Sequence, residues 1–306
     1  MVVNSFDSST ALRSLSSTIS KVLLGKEQQL KLALSCLLAG GHLLIEDLPG
    51  MGKSTLAEAL ARGFDLDFKR VSFTSDLLPA DLTGINIFDQ ASSNFRFRPG
   101  PIFAQVLLAD EINRASPRTQ SALLEAMAVG RVSVDGTSHL LPKPFFVIAT
   151  QNSLDQVGTS ALPEAQLDRF LMRLTLGFPS REAEQALLRG DGSHVADLSS
   201  CLSSEELIRL QQKCRSQHCS EVLISYIVDL AAASRRDGHG LSPRASQALL
   251  TAAQAWSLVE GRDHVSIDDV QAVFPAIAEH RLDSGSPSTT GAPLSNTLLQ
   301  SVHALR

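Results

Sequence analysis

One string restricts the fold of this 306-residue chain more than any other: Leu48-Pro49-Gly50-Met51-Gly52-Lys53-Ser54-Thr55. It follows a short apolar run, His42 to Glu46, that reads as a buried strand. It opens a helical pattern from Lys53 to about Arg62. A strand, a glycine-rich turn and a helix in that order form the setting in which backbone N–H groups at a helix N-terminus cradle a phosphate. Pro49, Gly50, Met51, Gly52, Lys53, Ser54 and Thr55 are therefore the candidate phosphate-binding residues. Lys53 is expected to reach the β- and γ-phosphates, and the Ser54 hydroxyl to ligate Mg²⁺. The strict form of this motif has a glycine five residues before Gly52; here that position is Asp47.

Two further apolar runs end in polar residues suited to the same chemistry. Val106-Leu107-Leu108-Ala109 leads into Asp110-Glu111, and Ile148-Ala149-Thr150 leads into Gln151-Asn152. In open α/β sheets, ligands bind outside the carboxyl ends of the strands, where these side chains would stand. Asp110 is expected to hold Mg²⁺ through water and Glu111 to polarise an attacking water. Asn152 is expected to position that water between Glu111 and the γ-phosphate.

At roughly 150 residues per domain, the length suggests two domains. The patterning divides the chain into an α/β part over 1–178, an all-α part over 179–282 and a C-terminal tail over 283–306. Further strands are expected at Phe68–Phe73, Ile102–Ala109 and Phe145–Thr150, and a helix-to-strand transition at Leu167–Leu174. Segments 84–100 and 131–142 alternate in polarity as β-hairpins. Beyond Pro179 the strand patterns stop. Helical segments centre on Glu182–Leu188, Ser204–Arg215, Glu221–Ser234, Pro243–Glu260 and Ile267–His280, with Ser204, Ser242 and Ser266 as capping candidates. Residues 284–295, rich in Ser, Thr, Gly and Pro, read as a flexible tail.

Composition argues against several function classes. The balance of 27 basic and 32 acidic residues gives a net charge of −5, so no global basic field draws the chain to nucleic acid or an anionic membrane. One Trp, one Tyr and 13 Phe are few rings for a base-stacking surface. The longest uncharged apolar stretch, near Leu32 to Ile45, is too short for a membrane span, and no leader pattern precedes it. Cys36, Cys201, Cys214 and Cys219 form no C-x-x-C pair. Reduced thiols in the cytoplasm is the expectation, and the spacing of Cys201, Cys214, His218 and Cys219 does not follow a standard zinc pattern.

Taken together, the phosphate loop, Asp110-Glu111 and Asn152 resemble the core of an AAA+ ATPase. Longer strings narrow the resemblance: Phe95-Arg96-Phe97-Arg98-Pro99-Gly100-Pro101-Ile102, Leu108-Ala109-Asp110-Glu111-Ile112-Asn113-Arg114-Ala115, Ala149-Thr150-Gln151-Asn152 and Leu162-Pro163-Glu164-Ala165-Gln166-Leu167-Asp168-Arg169-Phe170 look like the MoxR branch. The resemblance spans about residues 15–282. It implies an α/β fold: a three-layer αβα sandwich with a parallel core sheet and β-hairpin insertions, followed by an all-α lid. It further implies ATP hydrolysis to ADP with Mg²⁺, a homo-hexameric ring, and a chaperone-like remodelling or metal-cofactor insertion role. The implied co-factor or client is a separate protein with a von Willebrand factor A domain. By the same resemblance Asn152 is sensor 1, Arg169 the arginine finger reaching a neighbouring subunit's nucleotide, and Arg244 sensor 2. Arg114 and Arg173 stand open between interface cations and structural ion pairs. The hairpins stand open between pore-facing elements and structural flaps. A magnesium-chelatase-like or nucleic-acid-remodelling motor is the alternative function.

Overall fold

The computed structural model describes residues 7–152, 160, 162–236, 240–282 and 293–303. The expected flexible stretch therefore lies mostly outside the described residues. Two helices lead in, α1 (Ser8–Ser20) and α2 (Glu27–Leu38), then β1 (Leu43–Glu46) and α3 (Lys53–Gly63). After β2 (Phe68–Ser72) and the short α4 (Pro79–Thr83), β3 (Gly84–Asp89) and β4 (Asn94–Pro99) form the first hairpin. Next come β5 (Val106–Asp110) and α5 (Pro117–Val129), the second hairpin β6 (Arg131–Val134) and β7 (Thr137–Leu140), β8 (Phe146–Gln151), α6 (Glu164–Leu167) and β9 (Met172–Leu174). The remainder is helical: α7 (Arg181–Arg189), α8 (Ser204–Arg215), α9 (Glu221–Ser234), α10 (Pro243–Val259), α11 (Ile267–Leu282) and α12 (Leu294–Ser301).

The five-stranded sheet runs β2-β5-β8-β1-β9, and every pairing is parallel. The three inner strands, β5, β8 and β1, are apolar at consecutive positions because both of their faces are covered. The two-residue period of a strand sorts those side chains into separate cores. Leu43, Ile45, Val106, Leu108, Phe146 and Ile148 face a layer that includes Leu34 and Leu37 of α2 and Leu56 and Leu60 of α3. Leu44, Leu107, Ala109, Val147 and Ala149 face Leu123, Leu124 and Met127 of α5. This is the expected three-layer αβα arrangement.

The C-terminal helices are not a detached unit. Leu207, Leu210, Leu249, Trp256 and Phe274 belong to the same apolar cluster as the first sheet face. Helix α10 packs on α2, α8 and α11, and Ala252, Ala253 and Ala255 bring its backbone close to its neighbours. Serine side chains cap α7, α8, α9 and α10 from Ser180, Ser203, Ser220 and Ser242. For α8 the cap is Ser203 rather than Ser204, because Glu206 reciprocates by accepting the Ser203 N–H.

One expected strand is shorter than its apolar run, and two short helices form where none was expected. The run Ile102–Ala109 is a strand only from Val106, since Pro101 opens a single 3₁₀ turn over Pro101–Phe103. Helix α4 has Pro79 at its first position and Asp81 accepting the Leu78 N–H. Helix α12 docks on α11, where both Glu279 carboxylate oxygens accept the N–H groups of Leu294 and Ser295 at 3.0 Å.

Candidate functional site

The loop after β1 reaches α3 through two glycines with positive φ, Gly50 at 83° and Gly52 at 90°. A residue with a Cβ would be strained at either position, which accounts for both glycines. Lys53 is the first residue of α3 and only 8 % exposed. Its ammonium donates to the Asp47 carbonyl at 2.6 Å, the Leu48 carbonyl at 3.1 Å and Asn152 Oδ1 at 3.0 Å. Burial pushes its pKa down, while the charges of Asp47, Asp110 and Glu111 pull it back up.

Asp47, the departure from the strict glycine motif, fastens the loop. Its Oδ1 accepts the Leu48 N–H at 2.8 Å and its Oδ2 accepts the Gly177 N–H at 2.7 Å. Gly177 lies between β9 and α7. From the other side, buried Lys26 donates to the carbonyls of Leu176, Gly177 and Phe178. Asp47 thus ties the glycine loop to this junction and Lys26 ties the start of α2 to it, two links that local sequence patterns do not reveal.

Strand order brings the other candidates to this loop. β8 lies between β1 and β5, so Asn152, just past β8, stands between Lys53 and the Asp110-Glu111 pair. Asn152 Nδ2 donates to Glu111 Oε1 at 2.8 Å while its Oδ1 accepts from Lys53. That pairing settles the orientation of the amide. Glu111 itself has φ 56°, in the left-handed region, an uncommon place for a residue with a side chain. Its backbone N–H donates to Thr150 Oγ1 at 2.9 Å, and that hydroxyl donates to Asp110 Oδ1 at 2.6 Å. Arg114 Nε pairs with Glu111 Oε2 at 2.9 Å, and Arg173 pairs with Glu46 at 3.2 Å. Both of these arginines therefore form ion pairs within the chain.

Pro49, Gly50, Gly52, Lys53, Ser54, Thr55, Asp110, Glu111 and Asn152 line a common cavity of about 340 Å³, joined by Arg70 of β2. Sequence reasoning missed Arg70. Its place depends on β2 lying beside β5, a fact no local spacing carries.

Arg169 and Arg244 do not line that cavity. They line a second cleft of about 230 Å³ with Gly40, Gly41, His42, Asp168 and Arg281. His42 precedes β1, whereas the glycine loop follows it, so the two clefts lie at opposite ends of that strand. Arg169 Nη1 donates to the Leu124 carbonyl at 3.1 Å. The mostly buried Arg281, a second residue the sequence did not single out, pairs with Asp168 at 2.7 Å and with the Phe170 carbonyl at 2.9 Å. Three guanidinium groups against the single carboxylate Asp168 leave this cleft positively charged.

Residues 42–172 match the model of the ATPase family associated with various cellular activities, and residues 231–301 match that of an AAA lid domain. The chaperone MoxR1 of Mycobacterium tuberculosis is 38 % identical over 86 % of this chain and 73 % of its own length. The chain belongs to the MoxR branch of the AAA+ ATPases. An uncharacterized protein of Bacillus subtilis, YeaC, is 46 % identical over 86 % of this chain and 84 % of its own length. The crystal structure of an ATPase candidate from Cytophaga hutchinsonii superposes with a TM-score of 0.87 at 33 % identity, covering 97 % of this chain and 95 % of that one.

The AAA+ family implies Mg²⁺ beside the nucleotide, and the donor set fits it. Ser54 and Asp110 offer only oxygens in an open cavity, as suits a hard cation that keeps most of its waters. Among the described residues no group of three or more His, Cys, Asp or Glu side chains could hold a metal ion. The four cysteines are free thiols, and burial raises the pKa of Cys214 to about 12. No helix among the described residues is long and apolar enough to cross a membrane.

Proposed function

We propose that this MoxR-type protein binds and hydrolyses ATP, with each active site shared between two subunits of a ring. The observation that carries the reading is the continuous hydrogen-bonded chain Lys53–Asn152–Glu111 across the carboxyl ends of β1, β8 and β5. Pro49, Gly50, Met51, Gly52 and Thr55 shape the loop, and their backbone surrounds the phosphates at the α3 N-terminus. The β- and γ-phosphate oxygens take over from the Asp47 and Leu48 carbonyls as acceptors for Lys53. Ser54 and Asp110 would hold Mg²⁺, which would supply charge neutralisation at the phosphates. Glu111 accepts a proton from the attacking water, and Asn152, fixed from both sides, orients Glu111 and that water.

Arg169 and Arg244 stand in a different cleft from Lys53, so they serve a neighbour's nucleotide rather than their own. Arg169 is the finger and Arg244 the second sensor. A homo-hexameric ring supplies the geometry. MoxR1 is named a chaperone, which supports a remodelling role here; the cytoplasm as its place and a separate von Willebrand factor A domain protein as its partner are parts of the same proposal, drawn from the family resemblance.

Lys53→Ala tests the reading. It removes the loop's one ammonium, so ATP binding by calorimetry should fall below detection. Unchanged affinity would refute the site. Co-purification of such a partner, dependent on ATP, tests the remodelling role.

A further inference from the structure

Arg70 is placed by the fold in the proposed nucleotide cavity without a part in the chemistry described above. It sits on β2, an edge strand bonded only to β5, in register with Leu108. Its Nε and Nη2 both donate to one oxygen, Asp110 Oδ2, at 3.1 and 2.5 Å. The other carboxylate oxygen, Oδ1, accepts from the buried Thr150 hydroxyl. Asp110 Oδ2 is therefore the oxygen left for a metal's water, and Arg70 lies on it. Among the described residues Asp110 is the only ion-pair partner of Arg70. The arginine side chain is 53 % exposed against 14 % for that of Asp110, so the arginine is the partner free to swing away.

We propose that Arg70 competes with Mg²⁺ for Asp110 Oδ2 and thereby sets the Mg²⁺ concentration at which the protein binds ATP. Resting on the nucleotide-site reading, this makes Arg70 a positioning residue that acts through Asp110. A guanidinium must leave Oδ2 before a hydrated cation can use it. The two donors converging on one oxygen exclude a third hydrogen-bonding partner on the same lone pairs. Removing Arg70 also removes a positive charge that opposes a divalent cation in the same cavity.

The test is a Mg²⁺ titration at a fixed concentration of N-methylanthraniloyl-ATP, read by fluorescence, repeated in EDTA without Mg²⁺. Wild type, Arg70→Met, Arg70→Lys and Lys53→Ala are compared, each after a thermal melt confirms folding. On the scale of exposed ion pairs, Arg70→Met should lower the half-saturating Mg²⁺ concentration about two- to fivefold. Arg70→Lys, with one ammonium in place of the fork, should lie between Arg70→Met and wild type. Nucleotide affinity in EDTA should match wild type for both. An unchanged or raised Mg²⁺ requirement in Arg70→Met would overturn the proposal. So would a loss of affinity in EDTA, which would make Arg70 a phosphate ligand instead. If wild type binds and Lys53→Ala does not, such a result refutes only the role of Arg70. If wild type binds no nucleotide, or Lys53→Ala binds as well as wild type, the nucleotide site itself falls and this role with it.

Discussion

Lys26 offers a quantitative test of how the helical part is fastened to the sheet. It is 5 % exposed, and its ammonium donates to three consecutive carbonyls, Leu176 at 2.9 Å, Gly177 at 2.8 Å and Phe178 at 2.7 Å. An ammonium has three donors, and all three are used. Lys26→Met keeps most of the aliphatic stem and removes every donor. The Leu176 carbonyl then stays in a buried setting without its partner, at about 1–3 kcal/mol. The other two carbonyls are only part-buried and can turn to water, so each loses less. Together the change should destabilise by about 2–3 kcal/mol. With an unfolding entropy of about 2 cal/mol/K per residue, a chain of this length melting as one unit should lose about 3–5 °C in Tm. Differential scanning calorimetry measures this directly. A shift below about 1 °C would refute the reasoning, since the three bonds would then contribute nothing beyond what water offers. A separate, earlier transition for the helical part would contradict the shared core instead.

Two further outcomes follow. Glu111→Gln removes the proposed acceptor of the water's proton and leaves Lys53 and Ser54 in place; ATP should bind with near wild-type affinity by calorimetry while turnover falls by about 10²–10⁴. Burial lowers the pKa of His42 to about 4; the Val147 N–H donates to its Nδ1 at 3.0 Å, so a proton there would break that bond. A folded-state pKa below the unfolded value means that the stabilisation is complete above about pH 6.5 and is lost as pH falls toward about 4. Urea unfolding at pH 7 and at pH 5 should show that loss in wild type and a smaller one in His42→Gln, and equal losses would contradict it.

The parts of the fold that local pattern carries were readable. The glycine loop flanked by a strand and a helix, the apolar runs of β5 and β8, both hairpins and the lid helices from Ser203 to Leu282 all announce themselves through period and punctuation. What escaped depends on partners distant in sequence. Arg70 meets Asp110 only because β2 is laid beside β5. Lys26 reaches a junction 150 residues later, and Arg281 reaches Asp168 across 113 residues. Asp47 reads in the sequence only as a departure from the strict motif, yet it ties the loop to Gly177. The left-handed backbone of Glu111 has no sequence signal either, and the hydroxyl that accepts its N–H belongs to Thr150, 39 residues away. The candidate residues could be named from their motifs; their division between two clefts could not, because that requires knowing which end of β1 faces the lid.

That separation is the centre of the account, and mixing two inactive variants tests it most directly. Arg169→Ala keeps Lys53, Glu111 and Asn152 and should bind ATP while losing about 10³–10⁵ of its turnover, the range for a missing arginine finger. Glu111→Gln keeps Arg169. Co-assembled, an Arg169→Ala subunit supplies an intact Glu111 beside the intact Arg169 of a Glu111→Gln neighbour. Phosphate release measured across mixing ratios should rise well above the sum of the separate variants and peak near equal proportions. No recovery in rings shown to contain both variants would contradict the account and confine Arg169 to its own subunit.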